Sequence, residues 1–223
     1  LRTKVNRHMV KVRDLETATL VLLAPGEVLS SIGTRVRQTS LGTLLATRIR
    51  DALGADVCVI NGGGVRGSRE YRGHLTFGDL KSEVPFDNEL VVVPLPGRVL
   101  FEAVRGSRAN APSESGGFLQ VDDGVTVNGN DLITHVAGVP FDQNRIYRVA
   151  LVRNLLTGLD RIEALARFGR ETPERVPPEG SGRGVKLVLV DAFAKELWHH
   201  LGSFASIDAD QDGSISQAEL AEA

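Results

Sequence analysis

The sequence predicts an α+β domain in which a mixed sheet is layered with helices, and two observations predict it. Residues 17–95 alternate strand-like and helix-like stretches, whereas residues 118–152 form short strand-like runs divided by turn residues. A length of 223 residues is enough to bury a sizeable core in one domain and leave an appendage.

From Lys4 to Leu15 charge and apolar residues mix at helical spacing, with Val5, Met9 and Val12 on one face. Thr17 to Leu23 reads as a strand closed by Pro25-Gly26. Ser40 to Leu53 reads as a helix. Ser40 offers an N-cap, Leu41, Leu44, Leu45, Ile49 and Leu53 make an apolar stripe, and Gly54 supplies the C-cap. Asp56 to Ile60 has the short, β-branched look of a buried strand. Glu89 to Leu95 is a further strand, and Pro96-Gly97 turns it into a helix from Arg98 to Gly106. Ser107 to Gly117 is rich in Ser, Gly, Pro and Asn and reads as a loop. Strands follow at Phe118 to Val121, Val125 to Asn128, Leu132 to Val136 and Ile146 to Val152. Thr172 to Gly184 gathers prolines and glycines into a flexible connection, and Val185 to Phe204 recovers helical spacing. The histidine pair His199-His200 near the end of that helix points to different faces and reads as surface residues.

A net charge of −2 provides no basic field for a nucleic-acid backbone, so nucleic acid is not the expected partner. No apolar run is long enough to span a membrane, and no signal peptide opens the chain. The chain starts at Leu1 and not at Met, which together with the resemblance described below leads to the expectation of a piece of a longer precursor. A single cysteine, Cys58, excludes an intrachain disulfide and reads as a small buried hydrophobe.

The stretch Asn61-Gly62-Gly63-Gly64-Val65-Arg66 carries the most chemistry. Three glycines directly behind a strand permit positive φ, close backbone approach to a ligand and amide donors aimed at an anion. Arg66 adds a planar fork of donors matched to phosphate oxygens. Near the other end, residues 208–219 fit a calcium loop of the EF-hand type. Asp208, Asp210 and Asp212 stand at positions 1, 3 and 5, and Gly213 at 6 makes the sharp turn. Ser214 supplies its carbonyl at 7, Ser216 a hydroxyl at 9 and Glu219 a bidentate carboxylate at 12. This is an oxygen cage for Ca2+, and the sequence holds no second loop to pair with it.

Several motifs agree in order with one family. Arg35-Val36-Arg37-Gln38-Thr39-Ser40-Leu41-Gly42-Thr43-Leu44, the triple glycine, Gly73-His74-Leu75-Thr76-Phe77-Gly78-Asp79-Leu80, Val84-Pro85-Phe86-Asp87-Asn88, Gly117-Phe118-Leu119-Gln120-Val121, Pro140-Phe141-Asp142 and Tyr147-Arg148-Val149-Ala150 together resemble the C-terminal, substrate-binding domain of the 5′-nucleotidase family. The resemblance runs from about Ala18 to about Leu165. It implies a linker helix at 1–15 and a substrate-binding domain at 16–171; the residue pattern adds a linker at 172–184 and a helix with the EF-hand loop at 185–223.

It further implies that Arg35 and Arg66 contact the phosphates or ribose of a nucleotide, with Gly64 beside them. Phe86 is the first of two aromatics that sandwich the base, where stacking contributes about 1–3 kcal/mol. By the same resemblance Asn88 falls on an asparagine that hydrogen-bonds the base, and Asn61 is expected to reach the ring. Gly158-Leu159-Asp160-Arg161-Ile162 departs from the family's Gly-Gly-Asp-Gly-Tyr/Phe pattern, placing Ile162 where the second ring stands. Dispersion from Ile162 still covers a base face, with a weaker preference for purines. Hydrolysis in the family resembles two-metal phosphoester cleavage by an N-terminal metallophosphoesterase domain. Its Asp-x-His and Gly-Asn-His-Glu motifs do not occur around His8, His74, His135, His199 or His200. The divalent transition-metal pair is therefore expected only in that other domain, and this chain is expected to bind without catalysing. The resemblance implies a periplasmic or extracellular location. A non-catalytic calcium-binding interaction module on the same scaffold is the alternative.

Overall fold

A computed structural model describes residues 16–201 together with Ile207, Ala209, Asp210 and Ser216. β1 (Thr19–Leu22) and β2 (Val28–Ser30) open it, and α1 (Ser40–Leu53) follows with the bounds its apolar stripe predicts. The cap is one residue earlier than expected. Thr39, in extended backbone, accepts the Gly42 amide at 3.1 Å, while the Ser40 hydroxyl accepts the Ser30 amide at 2.8 Å and so ties the helix start to β2. Gly54 closes α1 in the left-handed region at φ 59, as its position predicts.

Next come β3 (Val57–Asn61), a short 3-10 turn at Gly62–Gly64, β4 (Glu70–Arg72), β5 (His74–Thr76) and α2 (Phe77–Glu83). A reciprocal Thr76–Asp79 capping box starts α2. β6 (Glu89–Pro96) runs into α3 (Gly97–Arg108), and the strand-rich stretch supplies β7 (Leu119–Val121), β8 (Val125–Val127), β9 (Ile133–Val136), β10 (Val139–Pro140) and β11 (Ile146–Val152). α4 (Glu163–Glu171), β12 (Arg183–Gly184) and α5 (Val185–Leu201) complete it.

The central sheet has the order β12-β6-β11-β3-β7, in which β11 and β3 are parallel and the other neighbours antiparallel. Small ladders, β1 with β5, β2 with β4, and β8-β9-β10, flank it. Every residue of β3 is buried, as are the last four of β11, so helices cover these strands on both faces. α1 packs with α5, and α3 with α4. The fold is the expected α+β layering of helices on a mixed sheet.

One buried polar cluster pins the sheet. Asp122 accepts the Cys58 amide at 2.7 Å, the Gly124 amide at 2.8 Å and the Arg50 guanidinium at 2.6 Å. Burial pushes the Asp122 carboxyl above its ordinary pKa against the lowering pull of these donors, and burial likewise pushes the neighbouring Cys58 thiol well up.

The stretch from Thr172 to Gly184, expected as a flexible connection, is strapped along the sheet edge. The Glu89 carboxylate accepts the amides of Gly182 at 2.5 Å and Gly180 at 3.2 Å, and β12 then pairs with β6. A Cβ on Gly182 would lie 2.2 Å from the Leu90 carbonyl oxygen, so the strap runs where only glycine fits. Val188, Leu189 and Phe193 of α5 are fully buried in the common core. The expected helix at residues 4–15, the end of the helix beyond Leu201, the side chains of Trp198, His199 and His200, and the loop ligands Asp208, Asp212, Ser214 and Glu219 lie outside the described residues. Asp210 and Ser216 are described and exposed. Among the described residues no helix is long and apolar enough to cross a membrane.

Candidate functional site

The end of β3 delivers Asn61 and the glycine turn to the rim of the sheet. None of Gly62, Gly63 and Gly64 has positive φ. The need for glycine is steric: a Cβ on Gly62 would lie 2.1 Å from the Thr34 carbonyl oxygen, and one on Gly63 would lie 3.1 Å from the Gly116 Cα. The amides of Gly62 and Gly63 are likewise not aimed at an open site. They donate to the Phe118 and Gly116 carbonyls, both at 2.8 Å. The triple glycine thus lets three segments meet: its own turn, the residues around Thr34, and the loop 115–118.

That meeting places Arg35. Buried Gln120 donates to the carbonyls of Thr34 at 2.8 Å and Arg37 at 2.6 Å and accepts the Thr39 amide at 2.8 Å, which fixes the segment on both sides of Arg35. The Arg35 carbonyl accepts the Ser115 amide at 3.0 Å. Its guanidinium reaches the exposed Glu114 carboxylate only at 4.0 Å, too loose a pair in water to hold it. Arg37, by contrast, spends its guanidinium on the Ile32 carbonyl at 3.0 and 3.1 Å.

Arg66 and Phe86 are brought together. The Arg66 guanidinium lies over the Phe86 ring, 5.7 Å from its centroid, and 3.5 Å from the Gly63 carbonyl oxygen. Phe86 is 50% exposed, a large apolar ring presented to solvent beside a cation. Asn88 is half-buried, and its carbonyl accepts the Val185 amide at 2.9 Å. Asn61, Gly64 and Asn88 border one crevice of about 20 Å³, which a nucleotide does not fit. Asn61 is 5% exposed, and its amide donates to Asp160 at 2.6 Å. Its side chain therefore orients the loop 158–162.

The sequence points to that loop for Ile162, but Ile162 is 5% exposed and packed in the core. It has little surface left to lay against a base. The neighbours are the outward-facing residues: Leu159 is 39% exposed and Arg161 is exposed. Asp160 and Arg161 hold φ of 57 and 54, so both are non-glycine residues in the left-handed region. Asp160, Arg161, Ile162 and Ser115 line a cavity of about 310 Å³ between the ends of α3 and α4. Asp160 joins the turn, the 115–117 loop and this cavity, a role that could have been signalled by its being, with Gly158, what this chain keeps of the family's Gly-Gly-Asp-Gly pattern. The arrangement is equipped for binding. The Arg66–Phe86 pair offers an exposed ring beside a guanidinium, and the polar cavity of ligand size is lined by none of Arg35, Arg66 and Phe86.

Comparison with known proteins agrees with this architecture. The family model described as 5′-nucleotidase, C-terminal domain, matches residues 17–167. Protein UshA of Yersinia enterocolitica is 34% identical over 131 residues, which is 56% of this chain and 23% of that protein. The trifunctional nucleotide phosphoesterase protein YfkN of Bacillus subtilis is 33% identical over 91 residues, 39% of this chain and 6% of its own length. The matched stretches thus cover less than a quarter of these relatives. Among solved structures, the 5′-nucleotidase precursor of Thermus thermophilus superposes with a TM-score of 0.63 at 22% identity, covering 88% of this chain and 40% of the other. NAD nucleotidase of Haemophilus influenzae gives 0.62 at 17%, covering 88% and 38%. At these identities the structural likeness speaks for the fold, and the family match over most of the chain speaks for descent. The chain belongs to the family of 5′-nucleotidase C-terminal domains.

Proposed function

We propose that this chain is the substrate-recognition domain of a secreted, metal-dependent phosphoester hydrolase of the 5′-nucleotidase type, acting on nucleotides or related phosphorylated compounds in the periplasm or outside the cell. The observation that carries the reading is the exposed Phe86 ring beside Arg66, at the rim of a glycine turn buttressed by the Arg35 segment. A flat ring with a guanidinium over its face matches a base and a phosphate. Among the described residues no group of three or more His, Cys, Asp or Glu comes together to hold a metal ion. Phosphoester cleavage belongs in this reading to the protein's own N-terminal metallophosphoesterase domain with its transition-metal pair.

A thermal-shift series with nucleoside monophosphates on the purified chain tests the reading. A nucleotide at 100 times its Kd stabilises by about 2.7 kcal/mol. Arg66→Ala should weaken its affinity about 10- to 100-fold, the worth of a charge-assisted hydrogen bond. Absence of any shift at millimolar nucleotide would sink it. That result would favour a second reading, a non-catalytic calcium-binding interaction module, for which the burial of Ile162 speaks.

The donor set of residues 208–219 suits a hard cation in either reading, with Asp208, Asp210, Asp212, the Ser214 carbonyl, Ser216 and Glu219 as the oxygen ligands of one Ca2+. Titration calorimetry should show one calcium bound per chain, abolished by Glu219→Ala. No heat at millimolar calcium would remove the site.

A further inference from the structure

Glu83, at the last turn of α2, is fully buried, yet nothing in its own helix explains a carboxyl group there. Its side chain is surrounded by donors from three other segments. Oε1 accepts the Ser31 hydroxyl at 2.7 Å and the Tyr71 phenol at 2.6 Å, and Oε2 accepts the Gly67 amide at 2.9 Å. Its backbone carbonyl accepts the Arg66 amide at 2.8 Å. A Cβ on Gly67 would lie 2.1 Å from Oε1, so the chain beside Arg66 approaches as closely as glycine allows. Burial and the Glu83 hydrogen bond push the Tyr71 phenol well above its ordinary pKa, so it remains a donor.

A buried carboxyl group is costly to leave without partners, and here each partner sits on a different segment. Ser31 follows β2, Tyr71 is the middle of β4, and Gly67 follows Arg66. Glu83 itself precedes Phe86 by only a short stretch of chain. One residue therefore fixes both halves of the pair in which the Arg66 guanidinium faces the Phe86 ring.

We infer that Glu83 is a positioning residue for ligand binding, holding Arg66 and Phe86 in register through Gly67, Tyr71 and Ser31. The inference rests on the nucleotide-binding reading above. Glu83→Gln keeps the shape but replaces the acceptor facing the Gly67 amide with a donor. With adenosine 5′-monophosphate as the probe, it should weaken binding about tenfold, a difference of about 1.4 kcal/mol. The double variant Glu83→Gln/Arg66→Ala should bind more weakly than Arg66→Ala alone by clearly less than the tenfold loss of Glu83→Gln, because the part of the effect that passes through Arg66 is already gone and only the part through Phe86 remains. A merely structural role predicts additive losses. Unchanged affinity in a folded Glu83→Gln protein, or additivity in the cycle, would overturn the inference. If Glu83→Gln does not fold, Tyr71→Phe removes one donor only, and the same cycle applies. Hydrogen exchange at the Gly67 amide in nucleotide-free protein separates the two readings. If wild-type protein binds no nucleotide, the functional reading fails. Even then, loss of Gly67 protection in Glu83→Gln would support the clamp, and retained protection would refute it.

Discussion

At the scale of single residues, Cys58 shows how burial governs chemistry. It has no exposed surface, and burial first, then the Asp122 charge, raises its thiol well above the ordinary value of 9.0. The native thiol therefore stays protonated where an unfolded one ionises. The stability linked to this group is complete below the unfolded pKa and falls as pH rises above it, because only the unfolded state then releases the proton. Cys58→Ala should flatten that alkaline decline in urea midpoints between pH 8 and about pH 10. A decline equally steep in both proteins would contradict the assignment. Wild-type protein at pH 8 should resist a thiol reagent until denaturant is added. The same burial explains why Cys58 is readable from sequence: a lone cysteine inside a β-branched strand has few other fates.

At the scale of elements, legibility follows length and period. α1, β6 and β11 carry enough apolar repeats to announce themselves, and α1 and β11 have the bounds their sequences predict. β4, β5 and β12 are two or three residues long, too short for any period, and exist because a neighbour pairs with them. α2 is seven residues long, and only the Thr76–Asp79 capping box marks it. Glu83 is invisible in the sequence for a related reason, since its partner Ser31 lies 52 residues away. The glycine turn is legible, but for a reason different in kind from the one its sequence suggests. Its need for glycine lies in close approach to Thr34, which gives a positional prediction. Gly62→Ala should cost about 1–3 kcal/mol, the usual range for overpacking, because the Thr34 carbonyl it strikes is also held by Gln120. Gly64→Ala meets only Asn61 at 3.4 Å and should be nearly neutral, aided by lower entropy of the unfolded chain. Thermal melts of the two variants should therefore separate, and equal shifts would show that crowding at Gly62 is not what selects glycine.

At the scale of the whole molecule, the question is where the domain ends. Prolines and glycines between Thr172 and Gly184 predict a flexible connection, with the following helix as part of an appendage. Composition does not reveal that the Glu89 carboxylate gathers the amides of Gly180 and Gly182, or that β12 extends the sheet. It also does not reveal that α5 covers α1. Val185, Val188, Leu189 and Phe193 are each at most 6% exposed, and fully burying such side chains is worth about 1.5–3 kcal/mol apiece. Their sum is comparable with the roughly 5–15 kcal/mol that typically separates a folded domain from its unfolded chain. A chain cut after Gly184 should therefore lose its cooperative thermal transition, although its cut falls beyond the matched family segment at residue 167. Circular dichroism melts of the truncated and full chains decide the point. A sharp transition at the full chain's Tm would show that α5 is dispensable, whereas its loss would place the end of the folding unit beyond Gly184, past the proline-rich strap.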